Sequence, residues 1–93
     1  MLRFLYEVIF LKHYLIMCRS VTSAQRAAKL LERALIRAAV TKAPSHLTRS
    51  GCAYALRLHT KLEEAVRILR GNEIPFGRIY LSEDGKEYRE VTL

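Results

Sequence analysis

The sequence predicts an α+β domain, and three observations carry that prediction. Residues 24–35 and 62–69 repeat apolar side chains at helical spacing, each run preceded by a Thr-x-x-Gln or Thr-x-x-Glu capping pattern. Short β-prone runs stand before, between and after these helices. The resulting order is strand, helix, strand, strand, helix, strand, a β-α-β-β-α-β arrangement.

The chain has 93 residues, enough for one domain with its own core, and 51% of them are hydrophobic, which argues against disorder. The formal net charge is +7, from 16 Lys and Arg against 9 Asp and Glu. That excess favours anionic partners: nucleic acid, an acidic protein surface or a small anionic substrate.

Cys18 and Cys52 are the two cysteines. They are too few for a disulfide-rich secreted scaffold and lack the paired spacing of a zinc site, so a reducing cytoplasm is the expected compartment. His13, His46 and His59 are scattered along the chain and read as loop or surface residues. No metal or cofactor is expected.

Residues 1–17 are strongly apolar, with Phe4, Leu5, Val8, Ile9, Phe10, Leu11, Leu15 and Ile16. Glu7, Lys12 and His13 interrupt the run, and no small-residue cleavage site follows, so neither a signal peptide nor a spanning helix is expected. The segment divides into an N-terminal appendage, residues 1–11, and a single domain, residues 12–93. No membrane attachment is expected.

Within that domain, His13 to Cys18 reads as a buried first strand. Thr22 and Gln25 form a capping box, followed by a helix of about 15 residues with Ala24, Ala27, Ala28, Leu31, Ala34 and Leu35 on one face. Ala38 to Thr41 is a second strand of weak propensity. Pro44 opens a polar loop, which runs through Ser50, Gly51 and Cys52 into a third strand, Ala53 to Leu58. Thr60 and Glu63 form a second capping box, and Leu62, Ala65, Val66 and Leu69 make the second apolar stripe. Gly71 and Asn72 suit a left-handed helix cap. Phe76 to Leu81 is the fourth strand, and Asp84-Gly85 signals a hairpin that returns Lys86 to Val91 as a charged edge strand.

This order fits a ferredoxin-like fold: two helices on one face of a four-stranded antiparallel sheet, in spatial order 4-1-3-2, with an extra C-terminal edge strand. In that topology strands one and three are antiparallel neighbours. Cys18 then ends at the sheet edge where Cys52 begins, and the first helix starts there too, after Arg19 and Ser20.

A thiol at this junction is a candidate nucleophile. The helix N-terminus, Arg49, Arg19 and the amides of Ser50, Gly51 and Cys52 would each favour thiolate over thiol. Gly51 widens the backbone shapes available to the turn. The other reading treats Cys52 as a small apolar residue opening a buried strand.

The stretch also resembles the putative selenium/sulfur carrier protein-like family of small bacterial domains. The matching features are Tyr14-Leu15-Ile16, Ser20, Ala27-Ala28-Lys29-Leu30-Leu31, Pro44, Ser50-Gly51-Cys52, Ala55-Leu56-Arg57 and Ile74-Pro75-Phe76, spread over residues 13–81. The family usually places glycine after the cysteine, where this chain has Ala53. The resemblance implies a carrier rather than a stand-alone enzyme. Cys52 would accept sulfur or selenium as a persulfide or selenosulfide and pass it between donor and acceptor proteins. Cys18 would be a candidate resolving thiol, with packing at a strand end as its plainer role.

A binding module is the competing class. Tyr14, Tyr54, Phe76 and Tyr80 must distribute over two sheet faces, and alternation groups Phe76, Arg78 and Tyr80 on the face away from the helices. Aromatic rings beside arginine can stack on single-stranded RNA. The same face would serve equally as a homodimer contact.

Overall fold

The computed structural model describes residues 11–48 and 53–93. Its elements run β1 (His13–Cys18), α1 (Val21–Arg33), β2 (Ala39–Lys42), a 3₁₀ turn (Ser45–Leu47), β3 (Tyr54–Leu58), α2 (Leu62–Gly71), β4 (Ile79–Ser82) and β5 (Arg89–Val91). The five strands form one antiparallel sheet in the order β2-β3-β1-β4-β5. The sheet therefore has five strands, not four, and its order departs from the four-stranded ferredoxin-like arrangement by carrying β5 outside β4.

Strand alternation sorts the core into two layers. Ile16, Cys18, Leu56, Leu58 and Ile79 face α1 and α2, where Ala24, Ala27, Leu31, Ala65, Val66 and Leu69 meet them. Small residues on α1 and a Leu/Val stripe on α2 let both helices settle closely on the sheet. Leu31, Leu56, Leu58 and Leu69 are fully buried. Each such leucine contributes about 1.5–3 kcal/mol from burial alone. Leu15, Met17 and Ala55 point to the other face and are also buried, packed with Ala43, Leu47, Tyr80 and Tyr88.

Both helix starts differ from the capping boxes. Ser20, two residues before Thr22, caps α1: its hydroxyl accepts a hydrogen bond from the Ser23 amide at 3.1 Å. Helix α2 follows Lys61, which adopts a left-handed conformation and makes no side-chain cap; Glu63 and Glu64 in the first turn complement the helix dipole instead.

The helix ends are alike, and glycine takes neither left-handed position. After α1 the left-handed residue is Leu35 (φ 63°), and the Ile36 amide reaches back to the Leu31 carbonyl at 2.9 Å. After α2 it is Glu73 (φ 56°), and the Ile74 amide reaches the Leu69 carbonyl at 3.0 Å. Both are Schellman-type closures, in which the following isoleucine is drawn into the core. The cap expected at Gly71-Asn72 is therefore displaced by one residue: Asn72 has φ −104°.

Strand β4 starts three residues later than its apolar run, at Ile79. Phe76 precedes the pleat and packs on the helix-side core, with the Arg70 guanidinium 5.7 Å from its ring centroid. The grouping of Phe76 with Arg78 and Tyr80 is thus overturned, because alternation holds only within a continuous strand. Tyr80 lies in the opposite cluster, and Arg78 pairs with Glu90 at 3.9 Å.

The connection from β4 to β5 is built on Asp84 and Gly85. Asp84 Oδ1 accepts from the Lys86 and Glu87 amides, both at 2.9 Å, and Gly85 takes φ 79°. No helix among the described residues is long and apolar enough to cross a membrane.

Candidate functional site

The last residue of β1 and the first of β3 meet at one end of the sheet, where Cys18 is the antiparallel partner of Tyr54. The same end carries the start of α1, with Ser20 as its cap. Arg19 and Ser20 are both exposed there. Of the predicted site residues, Cys18 and Arg19 are thus placed at one sheet end, next to the helix cap Ser20. Arg49, Ser50, Gly51 and Cys52 lie outside the described residues.

The chain on either side of that segment is hydrogen-bonded into the fold. The Ala43 amide donates to the Ala53 carbonyl at 2.9 Å, extending the β2–β3 ladder by one pair beyond Lys42 and Tyr54. Pro44 leads into the 3₁₀ turn, closed by the Leu47 amide on the Pro44 carbonyl at 2.9 Å. The Thr48 hydroxyl donates to the Ser45 carbonyl at 2.7 Å. Leu47 then anchors the turn on the sheet face away from the helices. Ala53 is exposed.

Cys18 is a different kind of thiol. It is 1% exposed, sits in the helix-side core and donates to the Ile16 carbonyl at 3.6 Å. That setting is structural: an apolar environment disfavours the thiolate that sulfur exchange requires.

A group of polar side chains missed by the sequence reading lies on the face away from the helices. His13 is buried, with Nδ1 2.9 Å from the Leu11 carbonyl and Nε2 2.8 Å from the Tyr88 hydroxyl. A carbonyl only accepts, so Nδ1 carries the proton and neutral Nε2 accepts from the tyrosine O–H. Burial, above all, lowers the His13 pKa; the Leu11 carbonyl opposes that shift, and Arg57 and His59 add to it. Burial likewise raises Tyr88, so the neutral pair persists at physiological pH.

The three histidines are therefore not scattered in space. His13 and His59 rings lie 6.2 Å apart, and His13 and His46 stand 5.5 and 6.1 Å from the Tyr88 ring. Tyr88 connects the C-terminal hairpin to β1 and to the turn that leads into the cysteine segment. Alternation along β1 puts His13 on the face of Leu15 and Met17, which was the available signal. The arrival of Tyr88 depends on the length of the β4–β5 connection, which sequence alone did not give. Among the described residues, no three His, Cys, Asp or Glu side chains are arranged to hold a metal ion.

The profile of the family described as Putative Se/S carrier protein-like matches residues 13–81. The chain belongs to this family. The match runs from the first residue of β1 into β4 and so takes in both helices and the Ser50-Gly51-Cys52 segment. No curated protein and no solved structure matches the chain.

Proposed function

We propose that this member of the Se/S carrier-like family is a sulfur or selenium carrier in which Cys52 is the acceptor thiol. The family match over residues 13–81 carries the reading. The geometry around the cysteine segment supports it. The segment joins Thr48, which ends an anchored turn, to Ala53, which is exposed and ladder-bonded, so its two ends are fixed. The capped start of α1 and the exposed Arg19 stand at the same sheet end and would favour an anionic sulfur there. Arg49 and the amides of Ser50 and Gly51 would add to that field.

The exchange needs no external oxidant. The Cys52 thiolate attacks the outer sulfur of a donor persulfide, R–S–SH; a new S–S bond forms as the donor's S–S bond breaks. Cys52 leaves as Cys–S–SH and the donor as R–S⁻. The selenium reaction is the same with R–S–SeH. Return of the atom to an acceptor protein reverses these roles, which makes the domain a carrier serving donor and acceptor proteins rather than a stand-alone enzyme. Reduced thiols are required throughout, consistent with a cytoplasmic setting.

Thiol labelling tests this directly. Under neutral, native conditions Cys52 should alkylate faster than an unstructured cysteine, while Cys18 should label only on unfolding. A Cys52 that labels more slowly than the unstructured control overturns the reading.

The RNA-binding and open-face dimer readings draw less support from the geometry. Phe76 packs on the helix side, Tyr80 is half-buried and Arg78 is engaged with Glu90, so the anticipated stacking platform is not assembled.

A further inference from the structure

We infer that the outer edge of β2, with the groove beside it, is a docking site for an extended acidic segment of a partner protein, added to the sheet as a further strand. The inference is independent of any property of Cys52.

Among the described residues, β2 is an outermost strand of the sheet. Because the Ala43 amide bonds to Ala53, alternation makes Thr41 and Ala39 the hydrogen-bonded partners of β3 and turns the N–H and C=O groups of Val40 and Lys42 outward. An outermost strand of this kind is a template for another chain.

A groove of about 610 Å³ adjoins the start of that edge, lined by Ala28, Leu35, Ile36, Ala38 and Ala39. Leu35 is 84% exposed and held at φ 63°, a conformation that costs a branched L-residue energy and normally falls to glycine. A strained leucine presented to solvent at the mouth of an apolar groove supplies a contact for an apolar side chain of an incoming strand.

The rim selects charge. Lys29, Arg37 and Arg57 line the groove against one carboxylate, Glu32, and Lys42 ends the strand. The ion pairs seen among the described residues, Arg78–Glu90 and Arg89–Glu83, lie elsewhere. A second copy pairing through β2 would set Arg37 and Lys42 against their own kind. An acidic, alternately apolar strand meets both the edge and the groove.

The test uses the full chain and a peptide of alternating Val and Glu about six residues long, followed by amide chemical shifts. The expected shifts centre on residues 35–42. Arg37→Glu with Lys42→Glu should weaken binding by about tenfold or more, and a Val/Lys peptide should not bind. Val40→Pro, tolerated where the N–H points outward, should abolish binding. Leu35→Gly should weaken it while the thermal midpoint holds or rises, separating lost contact from lost fold. The proposal is overturned by an absence of shifts at about 1 mM peptide, by shifts spread over other basic surfaces, or by binding indifferent to Val40→Pro. Self-association without peptide that Val40→Pro removes would assign the edge to a second copy instead. Equal shifts with free glutamate would assign the groove to small anions. Either result also overturns the proposal.

Discussion

Cys18 and Tyr54 are antiparallel partners, the last residue of one central strand facing the first of the other. Their pairing fixes where the cysteine segment rejoins the sheet, because only Ala53 separates Tyr54 from Cys52 in the chain. Cys18 is committed to the core and bonded to the Ile16 carbonyl. Cys18→Ala should therefore lower stability, by about 1 kcal/mol for a small buried side chain, and leave sulfur uptake at Cys52 intact. Denaturant midpoints and mass spectra of the same variant check both halves.

The start of α1 belongs to Ser20. Ser20→Ala should cost about 1 kcal/mol of unfolding free energy, while Thr22→Ala should stay within about 0.5 kcal/mol. Urea melts of the two variants decide which residue is the cap. If Ser20 also helps hold α1 at the thiol end of the sheet, its variant should slow alkylation of Cys52 as well.

Leu31 is fully buried at the end of α1, and its carbonyl accepts the Ile36 amide that closes the helix. Leu31→Ala should cost about 2–5 kcal/mol. The neighbouring Leu35→Gly should do the opposite and stabilise by up to about 1 kcal/mol, since glycine relieves the left-handed strain at an exposed position. Thermal melts of the pair should move in opposite directions.

His13 gives the fold a defined acid sensitivity. Its folded pKa lies below the ordinary 6.5, so the unfolded chain binds the proton more readily than the folded one. The contribution of the neutral His13–Tyr88 pair is complete above pH 6.5 and is lost as pH falls from there through the folded pKa. Between about pH 7.5 and about pH 5.5 the wild type should lose more stability than His13→Gln. Equal losses in the two proteins would remove His13 as the cause.

Much of this was legible in the sequence. The helical stripes located α1 and α2 within about two residues, and β1 has the bounds its apolar run implied. What escaped reading was decided by contacts between distant segments. Capping patterns at Thr22 and Thr60 competed with Ser20 and Lys61, and which residue caps depends on where the preceding strand releases the chain. Phe76 read as strand because it is aromatic and lies next to an apolar run, yet it docks under Arg70 before the pleat begins. Asp84-Gly85 signalled the C-terminal hairpin and its edge strand, which starts at Arg89 rather than Lys86; the contact of Tyr88 with His13 depends on a six-residue connection whose path is set by Asp84 capping two amides. The cysteine junction was singled out by composition and by family resemblance; Arg49 to Cys52 lie outside the described residues, and the hydrogen bonding around them places only their neighbours Thr48 and Ala53.

The most direct test of the carrier assignment is intact mass after incubation of the folded protein with a persulfide donor, with the modified peptide then sequenced. The account predicts one added sulfur atom on Cys52, reversible by a thiol reductant, retained in Cys18→Ser and absent in Cys52→Ser. No sulfur on the wild type, or uptake that survives Cys52→Ser, would contradict it.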